Sequence, residues 1–254
     1  MRAPVTASER DLRTLAGIVG DDRGEPPAEG VAPSLLSDMW DLIRCDHLVL
    51  VGQDYFRQVH LFGQVAPVEA ADDEDPDESP FWEHYWGSLP CSYPDRTGDL
   101  RSVTKISDFY SARQWHSTAM YQDCFRQMEH EIMVCLPADP GWTAGPGATV
   151  RLIFVRGPGR DFSERDRALL TLLRPHLQQA YLDAERRRHP VAELTPRQGE
   201  LLHLVAAGHT NTQIARRLGL SEGTVRTHPE NIYERLHVSS RVAAVTRAFS
   251  GRLS

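Results

Sequence analysis

The last sixty or so residues constrain the fold more than any other part of the chain. Between Leu194 and Phe249, four helix-start signals follow one another at short range. Thr195 is followed by Pro196 and, three residues on, by Gln198. A cap hydroxyl, a proline at the first helical position and an amide that can reach back to the cap N–H together open a helix. Thr210 and Gln213 repeat the pairing, and Ser221, then Ser239 or Ser240, supply two further caps. Leu201, Leu202 and Val205 give the first helix an apolar side, and Ile214, Ala215 and Leu218 do so for the second. Gly208 and Gly219 stand where each helix must stop in a left-handed conformation. Only Leu220 separates Gly219 from Ser221, so the second and third helices are joined by a very short turn, as in a helix-turn-helix. The third helix is expected from about Glu222 to Leu236. Val225, His228, Ile232 and Leu236 fall on its core side, and Arg226, Thr227, Glu230 and Asn231 on or near the other. The fourth carries Val242, Val245 and Phe249.

The residues Leu194-Thr195-Pro196-Arg197, Glu200, Gly208, Thr210-Asn211, Ile214-Ala215, Leu218, Ser221, Thr224-Val225, Thr227-His228, Ile232 and Leu236 closely resemble the LuxR-type (LuxR/FixJ) helix-turn-helix of bacterial transcription regulators. The resemblance covers about a quarter of the chain. It implies an all-α four-helix domain over residues 190–254 whose third helix lies in the major groove of double-stranded promoter DNA and whose fourth supports a homodimer. Carried over, Arg226 and Thr227 fall where bases are read. Thr210, Asn211, Ser221, Thr224 and His228 fall where phosphates are contacted or the helix is braced, and Val225, Glu230 and Asn231 complete the expected DNA-binding segment. Val238, Val242 and Val245 fall on the dimer face. An arginine taken alone is more often solvated than base-reading; the motif is what gives Arg226 its role. Glu230 would repel a phosphate, although it can accept from cytosine.

Two residues depart from the pattern. Gly199 sits inside the first helix, at a cost of about 1 kcal/mol relative to alanine. Pro229 sits inside the third, has no N–H for the carbonyl of Val225, and costs about 3 kcal/mol or more. A kink near His228 is expected, with the reading residues before it.

The net charge of −7 opposes DNA binding until the chain is divided. Residues 190–254 carry +3 and the rest −10, the asymmetry expected of a sensor joined to a nucleic-acid reader. A charge of +3 per chain gives modest non-specific affinity, which a dimer would reinforce. At 254 residues there is room for two cores. No apolar run is long enough to span a membrane, and the N-terminus lacks the apolar centre of a secretory signal. Cys45, Cys91, Cys124 and Cys135 have no CxxC spacing and read as reduced thiols in a cytoplasmic protein without a metal or cofactor.

Residues 1–32 are rich in Pro, Gly and Asp and are expected to be flexible apart from a short helix near Glu9–Val19. A helix over Pro33–Arg44 precedes strands at His47–Gly52 and Gln58–Phe62, with a turn near Asp54. The acidic loop Ala71–Pro80 leads to a short aromatic helix, Phe81–Trp86. Two more strands, Glu131–Leu136 and Thr149–Arg156, flank a Pro/Gly-rich turn at Asp139–Gly147. A long helix begins at Ser163, carries Leu169, Leu170, Leu173 and Leu177 on one side, kinks at Pro175 and runs to Arg188. This order is that of an α+β domain, an antiparallel sheet with flanking helices. It resembles a GAF-like sensor over residues 33–162, and the block beginning at Phe162 resembles the end of the sensor domain in actinobacterial regulators of this kind. Residues 163–189 then read as a connecting helix.

Trp82, Tyr85, Trp86, Tyr93 and Trp115 form the aromatic-rich region expected to line a pocket for a small-molecule ligand, although aromatic stripes are more often core. A phosphorylated receiver is disfavoured: Asp21 and Asp22 follow only a short apolar run, and Lys105 precedes Ile106. An acyl-homoserine-lactone sensor would also be aromatic-rich, and Trp82-x-x-Tyr85 and Tyr93-Pro94-Asp95 are weak echoes of one. Walker A, HExxH and kinase signatures are missing. Catalysis by Cys91 or Cys124 beside a histidine therefore ranks below the regulator, as does a protein- or ligand-binding module with a vestigial DNA reader.

Overall fold

The computed structural model describes residues 9–20, 29–67, 78–138, 148–188, 195–225, 232–233 and 244. The chain divides into two compact units, residues 1–137 with 147–184, and residues 138–146 with 185–254.

The first unit is built on a five-stranded antiparallel sheet. Its strands are β1 (His47–Asp54), β2 (Val59–Ala66), β3 (Thr104–Lys105), β4 (His130–Pro137) and β5 (Ala148–Arg156), in the spatial order β2-β1-β5-β4-β3. The four expected strands are all present, one to three residues longer than the sequence suggested, and β3 is an addition at the edge. The turn after β1 is made by Asp54, whose carboxylate accepts from the backbone N–H groups of Phe56 (3.0 Å) and Arg57 (3.2 Å). Gly52 lies opposite Phe62 in β2. A side chain at Gly52 would run into that ring, at 2.4 Å from its Cβ.

The strands alternate, as the two-residue period requires. Leu48 and Leu50 of β1, Leu152 and Phe154 of β5, and Ile132, Val134 and Leu136 of β4 point to one face and are buried. That face is covered by α2 (Pro33–Ile43), through Leu35, Leu36 and Met39, and by α7 (Glu164–Arg188), through Leu177 and Tyr181. The opposite face carries His47, Val49, Val51 and Gln53, then Glu131 and Met133, then Arg151, Ile153 and Val155. The residues between β2 and β4 form short helices: α3 (Ser79–His84), α4 (Leu89–Thr97), α5 (Ala112–His116) and α6 (Ala119–Asp123). Serine and threonine caps start the last two, with Ser111 accepting from Gln114 and Thr118 from Tyr121.

Two boundaries differ from expectation. The described parts of the N-terminal stretch, residues 9–20 and 29–32, are tied to the sheet unit. α1 (Glu9–Gly20) buries Ile18 and pairs Asp11 with Arg165. Gln64 of β2 exchanges two hydrogen bonds with the backbone of Val31, at 2.9 and 3.0 Å. Nor is the stretch 163–189 only a connector. Leu169, Leu170, Leu173 and Leu177 are buried, and α7 belongs to the sheet unit as far as Ala184. The helix passes through Pro175 as one element. No described helix is long and apolar enough to cross a membrane.

The second unit begins its described part with α8 (Pro196–Ala206) and α9 (Asn211–Leu218). Both expected capping boxes form. The Thr195 hydroxyl accepts from Gln198 N–H while the Gln198 side chain accepts from Thr195 N–H, and Thr210 and Gln213 do the same. Gly208 (φ 79°) and Gly219 (φ 66°) take the left-handed conformation that ends each helix. Leu201, Leu202, Val205, Ile214, Ala215 and Leu218 form one core with Val225, Ile232 and Ala244.

Candidate functional site

The turn into the third helix is the best-defined part of the DNA-binding candidate. α9 ends at Gly219, whose N–H bonds back to the carbonyl of Ala215. Ser221 then caps a helical stretch over residues 222–225. Its hydroxyl accepts from the N–H of Thr224 at 3.0 Å and lies 2.7 Å from the Thr224 hydroxyl, and Val225 N–H bonds to the Ser221 carbonyl. Thr210 and Ser221 are exposed, and Asn211 and Thr224 are half-buried. All four therefore sit at helix N-termini, where unpaired backbone N–H groups and the helix dipole favour an anion such as phosphate.

Val225 requires a correction. It is fully buried in the core with Ile214 and Leu218, so it anchors the third helix and does not reach DNA. Ile232 is buried with it, as its spacing predicted. Arg226, Thr227, His228, Glu230 and Asn231, the Pro229 kink, and Val238, Val242 and Val245 lie outside the described residues.

The sheet unit holds a cavity of about 530 Å³ between the odd-numbered face of the sheet and the short helices. None of the five expected pocket aromatics lines it. Trp82, Tyr85 and Trp115 pack into a buried cluster with Cys91, Ile106 and Met120. Trp86 is exposed, with Arg96 over its ring. Tyr93 hydrogen-bonds Asp99 at 3.0 Å. Trp82 and Tyr85 pack against each other with ring centroids 5.4 Å apart, and Phe81, Phe125 and Met128 face the cavity instead.

Sequence reading missed the polar groups of this cavity. Arg151 and Asp95 are both buried and meet at 2.6 Å. Arg151 also donates to the Tyr85 hydroxyl at 2.6 Å and to the carbonyl of Cys91. The Tyr85 hydroxyl donates to Asp95 and accepts from Gln53 at 3.1 Å, and burial pushes its phenol pKa up. Burial raises the Cys91 thiol to about 12, so it is no thiolate at neutral pH. At the other end of the sheet face, burial lifts the Glu131 carboxyl to about 7 against the opposing pull of Arg151. The signal for Glu131 and Arg151 was present in the sequence: each is a charge inside an otherwise apolar strand. His84 is bonded to Asp123 at 2.8 Å.

Comparison with known proteins separates the two units. The family described as bacterial regulatory proteins, luxR family, matches residues 192–248. The C-terminal unit carries a LuxR-family helix-turn-helix domain. Among similar proteins, the probable transcriptional regulatory protein SgaR of Hyphomicrobium methylovorum is 43% identical over 79 residues, 31% of this chain and 37% of that protein. The nitrate/nitrite response regulator protein NarP of Escherichia coli K12 is 47% identical over 55 residues, 22% of this chain and 26% of that one. The chain thus spans about a quarter to two fifths of the length of the curated relatives it matches. A solved structure of SdiA in complex with octanoyl-rac-glycerol has a similar fold, with a TM-score of 0.53, 16% identity and 96% of both chains covered. A crystal structure of Escherichia coli SdiA matches with the same TM-score at 18% identity, covering 96% of this chain and 98% of that one.

Proposed function

We propose that the chain is a cytoplasmic, homodimeric, sequence-specific transcription regulator whose N-terminal sensor unit tunes how the C-terminal helix-turn-helix holds promoter DNA. The observation that carries this reading is the α9–Gly219–Ser221 junction, a capped helix and a second capped start joined by a tight turn inside the LuxR-family segment. In this reading Thr210, Asn211, Ser221 and Thr224 hold phosphates at helix N-termini. Arg226 and Thr227 read base edges in the major groove, and His228, Glu230 and Asn231 flank them. Val238, Val242 and Val245 pack against their counterparts in a second copy.

The sensor reading is supported by the cavity of about 530 Å³, a volume within the range of small-molecule sites. It is supported also by a fold shared with a protein that was solved with an acylglycerol bound. The order of helix, strand pair, short helices, strand pair and long helix is what supports describing the unit as GAF-like.

A gel shift on DNA from upstream of the chain's own gene and its neighbours tests the reader. Arg226→Ala is expected to weaken binding on the order of ten- to a hundredfold, the cost of one base-reading arginine. Failure of the wild-type chain to shift any such DNA at any salt concentration would favour a binding module with a vestigial reader.

A further inference from the structure

The cavity of the sheet unit has polar groups at both ends, and the two ends differ. At one end every contact of Arg151 is taken up within the fold by Asp95, Tyr85, Thr149 and the carbonyl of Cys91. At the other end Glu131 enters from β4, beside Val155 of β5. The residue is 6% exposed, and its side chain makes no hydrogen bond or ion pair among the described residues. Four residues of β5 separate the ends, roughly 13 Å along the strand. Val49, Ile153 and Met133 floor the space between them, and Phe81 and Phe125 face it from the helical layer.

A buried carboxylate without a partner is costly, and a fold that keeps one in a cavity gains most when a donor arrives. The other acids lining the cavity do not compete for that donor. Glu78 is bonded to His60 at 2.7 Å and Asp123 to His84 at 2.8 Å. His47 lies on the far side of Val155, two strands from Glu131.

We propose that Glu131 is the recognition group of a ligand subsite, and that the cavity takes a small molecule with an apolar body and a primary ammonium head that donates to this carboxylate. The proposal rests on reading the cavity as the sensor's ligand site. An ammonium supplies both the charge and the donors that Glu131 lacks, while its apolar body covers the valine, isoleucine and phenylalanine surface. A carboxylate head would be repelled by Glu131 and would find Arg151 already committed to Asp95. A hydroxyl head would leave the charge on Glu131 uncompensated.

The test uses the full chain with three probes of equal length: n-octylammonium, 1-octanol and octanoate. Titration calorimetry and thermal melting are run at about pH 8, where the Glu131 carboxyl is ionised. Octylammonium is expected to bind on the order of tenfold or more tighter than 1-octanol, the worth of one charge-assisted hydrogen bond. Glu131→Gln is expected to level the two while keeping the binding of 1-octanol, and Glu131→Met repeats the comparison should the amide not fold. Equal affinity for octanol and octylammonium in the wild type, a preference for octanoate, or an ammonium preference that survives in both variants would overturn the proposal. If none of the three binds, the cavity reading falls and the proposal with it. If octanol binds and the ammonium gains nothing, the role of Glu131 alone falls.

Discussion

Arg151→Met is expected to destabilise the sheet unit by about 3–5 kcal/mol, the usual cost of removing one partner from a buried ion pair. The side chains of Arg151 and Asp95 are each only 2% exposed. Deleting the guanidinium leaves the Asp95 carboxylate in a low-dielectric interior with the Tyr85 hydroxyl as its remaining donor. It also removes the donors that hold Tyr85 and the carbonyl of Cys91. Methionine has a comparable length and keeps most of the packing, so the loss reports the charge and not a void. Adding Asp95→Asn to the same chain should recover part of the deficit, because the stranded charge is then gone. Urea unfolding of the single and double variants measures this directly. A single variant within about 1 kcal/mol of wild type would show that the network contributes no more than a surface pair.

Glu131→Gln is expected to change how stability depends on pH. Burial raises this carboxyl from its ordinary 4.5 to about 7 in the folded chain. Between those values the folded state keeps a proton that the unfolded chain has released. Stability is therefore lost as the pH rises through that window, and the loss is complete above about 7. The full effect is about 3 kcal/mol. Among the charged groups lining the cavity, Arg151 on β5 acts on the carboxylate and opposes the shift. The amide has no proton to lose, so wild type and variant should be of similar stability near pH 4.5 and diverge toward neutrality, with the variant the more stable. Unfolding midpoints measured across that range check it. Profiles that stay parallel would mean that Glu131 is solvated or paired in the folded chain.

The C-terminal unit was legible because its signals are local. A threonine cap with glutamine three residues on, or a glycine at a helix end, acts within one turn, and Thr195, Thr210, Gly208, Gly219 and Ser221 each do what their position implied. The main strands were legible for the same reason, as apolar runs bounded by turns. β3 was not, since two residues carry no period, and Thr104 and Lys105 form a strand only because β4 lies beside them. The cavity was misjudged because aromatic content does not say which rings face one another. Trp82, Tyr85 and Trp115 fill the wall. Part of the lining comes from alternate residues of β1, β4 and β5, among which Glu131 and Arg151 were the readable marks.

The most direct test of the central claim is selection of binding sites from random duplex DNA by the full chain, followed by affinity measurements over a salt series. The expected result is one enriched sequence with two half-sites related by a dyad, bound with an affinity that falls steeply as salt rises and drops on the order of ten- to a hundredfold in Arg226→Ala. A pool that yields no enriched sequence at any salt concentration would contradict it.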